Sequence, residues 1–418
     1  MFRFPKFDFS KVDVSKFDLS KFDPSKFDLP PRAGLNSDAS GSGADRLAER
    51  MARFQRAQTE AFAKWAQTYG RPGASPGPAG GETILDMEAP EAPGGAWTAP
   101  RPGQGRAAEP ELDLSALMRG RAPARGRSPV PVPPGARFEE RVFTGAAGSR
   151  HYKVYVPSGY TGQALPLVVM LHGCTQDPDD FATGTQMNAL AEAQTVLVAY
   201  PAQAQSAHMQ RCWNWYAVGD QARAGGEPEL IAGIARAVMT EFSADPTRVY
   251  AAGLSAGGAA AAILAATYPD LFAAVGIHSG LACGAARDLP GALAAMKGQA
   301  GPTRTNRQAV PTIVFHGDSD RTVHPANGDQ VMAQAGLTQG LTQTVTRGTS
   351  PGGIAYTRTV WSDAAGRPMQ EQWRLHGVGH AWSGGSPTGS YTEPRGPDAS
   401  RAMLRFFLSH TLEPRARA

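Results

Sequence analysis

Residues 253–257 read Gly-Leu-Ser-Ala-Gly, and they stand between a β-prone segment at 248–252 and a small-residue, helix-prone segment at 258–267. This arrangement predicts a sharp, strained strand-to-helix turn that lifts the Ser255 hydroxyl above the edge of a sheet. Such a turn needs small neighbours, which Gly253 and Gly257 supply. The alternative is a loop serine beside two turn glycines, because a chain with 48 glycines also matches this short pattern by accident.

A serine at such a turn is a useful nucleophile only if an imidazole takes its proton and a carboxylate orients the imidazole. The acid is expected after the serine and before the histidine. Residues 310–316 form an apolar run that predicts a buried parallel strand, and an acidic loop follows it. That loop would lie at the carboxyl edge of the sheet, where such folds place their sites. We predict Asp320 as the acid, and we predict that the alternative, Asp318, caps its own turn.

Two of the nine histidines follow the acidic loop in a setting that suits a base. His380 lies in a loop with glycines before it, and His376 ends the strand-like segment 371–375. A base on a loop after the last strand has the freedom to reach a serine, so we predict His380 and keep His376 as the alternative. Three histidines at the ends of apolar runs are expected to be packed or hydrogen-bonded: His172, His278 and His316.

The negative charge that develops during acyl transfer needs two backbone N–H groups as donors. One comes from the residue after the nucleophile, which is Ala256. The other comes from the loop after an earlier strand, and residues 165–171 are an apolar run that leads into His-Gly-Cys-Thr-Gln at 172–176. We predict the N–H of Cys174 as this second donor.

These features predict an α/β-hydrolase fold, an α/β protein with a mostly parallel, doubly wound sheet. Five segments also occur in an order that resembles the esterase family of polyhydroxybutyrate depolymerases, which is related to feruloyl and acetylxylan esterases. The segments are 172–176 (HGCTQ), 211–216 (RCWNWY), 253–258 (GLSAGG), 316–320 (HGDSD) and 379–382 (GHAW). The resemblance covers about residues 136–412. It implies Ser255 as nucleophile, Asp320 as acid and His380 as base, with Cys174 and Ala256 as oxyanion donors.

The resemblance implies a serine esterase that hydrolyses poly(3-hydroxybutyrate) or short hydroxyalkanoate oligomers through an acyl-enzyme. A feruloyl or acetylxylan type of carboxylesterase would share every one of these residues and is the alternative among enzymes. An alternative of another class is a granule-surface or scaffold protein that acts through residues 1–70. The chemistry requires no cofactor, and no Cys/His spacing fits a zinc site.

Aromatic residues accompany the motifs. Trp213 and Trp215 follow the predicted strand 195–200, and Trp382 comes two residues after His380. A polyester chain is apolar between its ester groups, so we predict that these three indoles form flat walls of the substrate site. The alternative is that Trp213 and Trp215 close the top of the core.

The amino-terminal third differs from the predicted catalytic domain at 136–412. Residues 1–30 repeat a Lys-Phe-Asp-x-Ser unit, and residues 70–135 form a linker rich in Pro and Gly. Both are predicted to be largely disordered. Between them, residues 45–69 carry an apolar stripe at helical spacing, which predicts an amphipathic helix. We hypothesise that residues 1–70 bind a hydrophobic granule surface.

Charge and cysteine content limit the partners and the compartment. The formal net charge is only +4 and no nucleic-acid motif is present, so nucleic acid is not an expected partner. No apolar run reaches transmembrane length, and no signal peptide is visible, which predicts a cytoplasmic protein. The strand order of the fold would bring the loops of Cys174 and Cys212 together. A disulfide between them is then an open alternative, and it would favour an extracellular location.

Overall fold

The computed structural model describes residues 130–300, 306, 308–336 and 340–413. The predicted repeats at 1–30, the predicted helix at 45–69 and the predicted linker up to residue 129 lie outside these residues. The described strands are β1 (Arg137–Gly145), β2 (Gly148–Val156), β3 (Leu167–Leu171), β4 (Leu197–Pro201), β5 (Val249–Leu254), β6 (Ala274–His278), β7 (Thr312–Gly317), β8 (Thr342–Thr349), β9 (Ala355–Ser362), β10 (Pro368–Leu375), β11 (Trp382–Ser383) and β12 (Thr392–Glu393).

Ten strands form one mixed sheet in the order β1-β2-β4-β3-β5-β6-β7-β10-β9-β8. The six central strands of this order are parallel to one another; they are β4, β3, β5, β6, β7 and β10. Antiparallel strands extend this centre at both ends, with β2 and β1 on one side and β9 and β8 on the other. Strands β11 and β12 form a separate two-stranded ladder.

Helices cover both faces of the sheet. They are α1 (Pro178–Thr185), α2 (Met187–Gln194), α3 (Gly226–Glu241), α4 (Ala256–Thr267), α5 (Leu289–Ala294), α6 (Ala326–Ala335) and α7 (Ala399–Leu408), with a 3₁₀ turn at Val218–Gln221 and a π turn at Ala295–Gln299. One buried cluster joins α3, α4 and α6 to the sheet, and a second cluster joins α1, α2 and α7 to its other face. The chain therefore has the doubly wound architecture that the sequence predicts.

The central strands are short because each is buried on both faces. Every residue of β3, β4, β5, β6 and β7 is buried, as expected for parallel strands covered by helices. The apolar runs predicted as strands at 165–171, 248–252 and 310–316 lie within about two residues of the observed strands.

The parallel strands bring four loops to one edge of the sheet. Strand β3 ends at Leu171, β5 at Leu254 and β7 at Gly317, and the loop after β10 follows Leu375. Because β3, β5, β6, β7 and β10 are neighbours in parallel register, their carboxyl ends lie side by side. The predicted site motifs follow these ends, apart from residues 211–216, which lie in the loop after β4. Among the described residues, no helix is long and apolar enough to cross a membrane.

Candidate active site

Ser255 lies at the turn between β5 and α4, and its backbone is strained. It has a φ of 58° and a ψ of −120°, a conformation that residues with a side chain rarely adopt. A Cβ on Gly253 would lie 2.3 Å from the carbonyl group of Gly257, and a Cβ on Gly257 would lie 2.0 Å from the carbonyl oxygen of Leu171. Both positions therefore require glycine, because the backbone of the turn passes close to itself and to β3.

Asp320 follows β7 and is held in one orientation. Its Oδ1 accepts hydrogen bonds from the N–H groups of Thr322 and Val323, at 2.9 and 2.8 Å. Its Oδ2 lies 2.7 Å from Nδ1 of His380, whose side chain is 12% exposed. The structure thus brings together the predicted acid and the predicted base, which are 60 residues apart in the chain.

The charge on Asp320 is strongly stabilised. Burial acts to raise the pKa of Asp320, but the charge of His380 and the hydrogen bonds from His316 and His380 outweigh it and hold the pKa well below its usual range. The sequence predicts His316 to be a packed or hydrogen-bonded structural histidine. It is buried as expected, but its Nε2 also lies 3.5 Å from Asp320 Oδ2 and 2.8 Å from the carbonyl oxygen of Val323. A spacing of four residues across the turn after β7 allows this contact.

The loop of His380 packs tightly against the loop of Asp320. A Cβ on Gly317 would lie 2.2 Å from the carbonyl oxygen of Val378, and the N–H of Ser319 donates to the same oxygen at 3.1 Å. Gly377, which opens the loop, has a φ of 73°. These contacts fix the loop, so the Asp320–His380 pair does not depend on its own hydrogen bond alone.

The alternative acid and base, Asp318 and His376, form a second pair. Asp318 Oδ2 lies 2.8 Å from His376 Nδ1, and Asp318 Oδ1 accepts the N–H of Gly377 at 2.8 Å. The prediction that Asp318 caps its own turn is corrected here, because this carboxylate binds the turn after β10 instead. His376 Nε2 is also engaged, at 2.9 Å from Thr357 Oγ1.

Residues 172–176, which we call the oxyanion loop, follow β3 and lie beside Ser255. A Cβ on Gly173 would lie 3.6 Å from Cβ of Ser255. The N–H of Gly173 donates to Gln176 Oε1 at 2.9 Å, and the N–H of Thr175 donates to the carbonyl oxygen of Gln210 at 2.6 Å. Between them, the N–H of Cys174 has no hydrogen-bond partner among the described residues. It is therefore available to a ligand, as the first N–H groups of α4, including that of Ala256, also are.

His172 anchors the start of the oxyanion loop. Its Nε2 accepts the N–H of Gln203 at 3.1 Å, so Nδ1 carries the proton and donates to the carbonyl oxygen of Gly173 at 2.7 Å. Burial lowers the pKa of His172 to about 4, which keeps the ring neutral. A disulfide joins Cys174 of the loop to Cys212.

The three tryptophans predicted to line the substrate site lie in the core instead. Trp213 is 0% exposed, Trp215 7% and Trp382 1%. The Trp213 indole donates to the carbonyl oxygen of His172 at 3.0 Å, and the Trp382 indole donates to Ser400 Oγ at 3.1 Å. The expectation that these three indoles form the walls of the substrate site is therefore corrected. They are buried in the core, and burial leaves them almost no surface for a substrate.

Sequence reasoning missed the polar residues beneath the oxyanion loop. Hydrogen bonds join Glu227 to Gln203 and Asn214. Gln203 also donates to the carbonyl oxygen of Cys212, the residue before Trp213. Asn214 lies within one of the segments that carry the family resemblance, but Glu227 lies in no motif. In the described part of the chain, no group of three or more His, Cys, Asp or Glu side chains is arranged to hold a metal ion.

The sheet, the strained serine turn and the Asp–His pair on one edge define an α/β-hydrolase fold. An acetyl xylan esterase from Aspergillus awamori has a solved structure that matches this fold with a TM-score of 0.50 and 19% identity, over 65% of this chain and 99% of that one. Residues 150–351 match the family model described as Esterase PHB depolymerase. That match includes Ser255 and Asp320 and ends before His380.

Two curated relatives match at the sequence level. Poly(3-hydroxyalkanoate) depolymerase C of Paucimonas lemoignei is 33% identical over 240 residues, which are 54% of this chain and 57% of that protein. Feruloyl esterase B of Thermothelomyces thermophilus is 28% identical over 248 residues, which are 54% of this chain and 82% of that protein. The chain thus spans little more than half the length of the Paucimonas relative.

Proposed function

We propose that residues 136–412 are a serine esterase domain that hydrolyses poly(3-hydroxybutyrate) or short hydroxyalkanoate oligomers. The observation that carries the proposal is the buried Asp320–His380 pair at the same sheet edge as the strained Ser255. Acyl transfer requires a carboxylate, an imidazole and a serine close together, and these three residues follow the carboxyl ends of β7, β10 and β5 in one parallel array.

The reaction proceeds through an acyl-enzyme. Asp320 accepts a hydrogen bond from the Nδ1–H of His380, which leaves Nε2 as the base. His380 takes the proton of Ser255 as the hydroxyl oxygen attacks the ester carbonyl, and the N–H groups of Cys174 and Ala256 bind the oxyanion. The C–O bond to the alcohol breaks, and His380 returns the proton to the departing alkoxide. A water molecule, activated by His380 in the same way, then hydrolyses the acyl-enzyme and releases the acid.

The relatives support an ester of a hydroxyalkanoate as the substrate. The Paucimonas relative is named for a poly(3-hydroxyalkanoate) and shares 33% of its aligned residues with this chain, whereas the relative named for feruloyl esters shares 28%. A panel of hydroxybutyrate oligomers, feruloyl esters and acetylated xylose measures the choice directly. We expect the highest kcat/KM on the oligomers, and a higher value on either of the other esters would replace this substrate assignment.

The Ser255→Ala variant tests the nucleophile. We expect kcat on a soluble ester to fall by about a million-fold, as for other serine hydrolases that lose this residue, while the circular dichroism spectrum stays unchanged. Ser279→Ala is a matched control, because Ser279 also follows a parallel strand directly and has a φ of 49°. Residual turnover by Ser255→Ala at the level of Ser279→Ala would refute the assignment.

We also propose that residues 1–70 bind the surface of hydrophobic granules, with residues 70–135 as the linker to the esterase domain. The apolar stripe at 45–69 supports this proposal. Deletion of residues 1–70 should lower hydrolysis of polymer granules and leave soluble esters unaffected. Equal effects on both substrates would contradict granule binding.

The Cys174–Cys212 disulfide supports an oxidising compartment for the domain, which favours the extracellular alternative over the cytoplasm. The test is whether the disulfide is present in the protein from its native source. Mass spectrometry of protein that is alkylated before lysis and kept unreduced measures this. Two alkylated cysteines at positions 174 and 212 would favour the cytoplasm.

A further inference from the structure

Glu227 is a buried carboxylate that the proposed chemistry does not use. It lies in the first turn of α3 and is 6% exposed. Its Oε2 accepts the backbone N–H of Asn214 at 2.7 Å, and its Oε1 accepts the side-chain amide of Asn214 at 2.8 Å and that of Gln203. Both oxygens are therefore engaged by donors from a single neighbouring region, residues 203–214.

Besides the hydrogen bond from the Thr175 N–H to the carbonyl oxygen of Gln210, the same region contacts the oxyanion loop at three points. The N–H of Gln203 donates to His172 Nε2 at 3.1 Å, and the indole of Trp213 donates to the carbonyl oxygen of His172 at 3.0 Å. The third contact is the disulfide from Cys212 to Cys174. The side-chain amide of Gln203 joins these contacts to Glu227, because it donates both to Glu227 and to the carbonyl oxygen of Cys212, the latter at 2.8 Å.

The charges around Glu227 come from two other elements. Asp220, in the 3₁₀ turn, accepts the N–H of Glu227 at 2.7 Å, and the buried Arg150 on β2 supplies a positive charge. Burial and the charge of Asp220 raise the pKa of Glu227 to about 7, although the donors on Gln203 and Asn214 act to lower it. Burying an acid is costly unless its bonds are made, so the donor set is needed to hold this carboxylate.

We infer that Glu227 is a positioning residue that fixes the Cys174 N–H for the transition state, acting through Gln203, Asn214 and Cys212. This inference rests on the proposed esterase function. Glu227 has no hydrogen bond to the oxyanion loop itself within the described residues. Its carboxylate accepts three N–H donors, whereas an amide in its place has a single acceptor oxygen and leaves part of the set unpaired. Region 203–214 would then shift, and the Cys174 N–H with it.

Glu227→Gln tests this inference, because it keeps the size of the side chain and removes the charge. The readouts are kcat and KM on p-nitrophenyl butyrate and the inhibition constant of an alkyl boronic acid, which forms a tetrahedral adduct with a nucleophilic serine. We expect kcat and boronate affinity to fall about 10- to 100-fold, the usual cost of a small misplacement, with KM nearly unchanged. A loss confined to the tetrahedral state distinguishes positioning from a general loss of structure.

Glu192→Gln is the matched control, because Glu192 also accepts several hydrogen bonds, from Tyr155 and Ser158, and has none with a site residue in the described part of the chain. It should leave kcat and boronate affinity unchanged. If Glu227→Gln does not fold, Gln203→Met removes the amide that links Glu227 to Cys212, and the same loss is expected from it. Unchanged kcat and boronate affinity, a rise in KM alone, or an equal loss in Glu192→Gln would overturn the inference. Wild-type protein without Ser255-dependent turnover would instead refute the proposed function.

Discussion

Two Asp–His pairs stand at the same edge of the sheet, and they differ mainly in burial. Asp320 and His380 are 2.7 Å apart, with side chains 0% and 12% exposed. Asp318 and His376 are 2.8 Å apart, with side chains 35% and 40% exposed. The acids are two residues apart in the chain and the histidines four, so chemistry and distance alone do not distinguish the pairs.

The two pairs differ in their hydrogen-bond partners and in their access to water. Oδ1 of Asp320 is fixed by two backbone N–H groups, and exclusion of water strengthens its bond to His380. Nε2 of His380 has no hydrogen-bond partner in the described ranges, so it remains free for a hydroxyl proton. Nε2 of His376 is engaged by Thr357, and solvent reaches its ring. Burial and a free second nitrogen, rather than the Asp–His contact, mark the pair that can act as a base.

Replacing the histidines should separate the two pairs most strongly. We expect His380→Ala to lower kcat on a soluble ester by about a million-fold, because Ser255 then has no base. His376→Ala should change kcat by less than about two-fold, since the hydrogen bonds of its ring to the described residues go to Asp318 and Thr357. Steady-state kinetics of both variants measure the contrast. A larger loss in His376→Ala would reverse the roles of the pairs.

Replacing the acids should give the next largest difference. Asp320→Asn is expected to lower kcat about ten-thousand-fold, because an amide at this position favours the wrong tautomer of His380. Asp318→Asn should have little effect on kcat, because Asp318 holds the turn at Gly377 and not the base. The measurement is kcat for both variants at the same pH. Comparable losses in the two variants would contradict the assignment of Asp320.

The smallest expected contrast is in stability against pH. The pKa of Asp320 is held well below that of an unfolded aspartate, so its stabilisation is complete above the unfolded pKa and is lost as the pH falls through the acid range. Because the unfolded pKa is about 3.9, the advantage of wild type over Asp320→Asn should shrink by about 1 kcal/mol between pH 6 and pH 3. Denaturant titrations at both pH values measure it. An advantage that grows toward pH 3 would show the opposite shift.

For the exposed pair, Asp318 and His376, we expect a smaller difference in the free energy of unfolding between wild type and the Asp318→Asn variant. The pKa of Asp318 is lowered too: burial acts to raise it, but the hydrogen bonds from His376 and Gly377 outweigh burial. Solvent reaches both side chains, and exposed ion pairs contribute about 0–1 kcal/mol, which salt reduces further. Repeating the titrations of Asp318→Asn in high salt should therefore remove most of its small effect. A salt-independent effect would place this pair in a drier setting than its exposure indicates.

The local sequence pattern was sufficient to predict the strands that precede Ser255 and Asp320 and the order of the motifs along the chain. The apolar runs that precede Ser255 and Asp320 predict β5 and β7 because parallel strands covered on both faces are continuously apolar. It was not sufficient for the tryptophans, since a tryptophan beside a motif has the same letters whether it faces a substrate or the core. Glu227 was missed for a similar reason: its donors are 13 and 24 residues earlier in the chain.

The sequence by itself determined the α/β-hydrolase fold, the sharp turn at Ser255 and the chain order of the predicted acid and base. Strand periodicity and the glycines of the turn are local properties, so they can be recognised without the tertiary structure. Only the tertiary structure decided which Asp–His pair is buried, which indoles are covered and which carboxylate stands behind the oxyanion loop. Burial and hydrogen-bond partners depend on segments that are distant in the chain and meet only when the sheet is assembled. The electrostatic character of the site is therefore a property of the packed molecule.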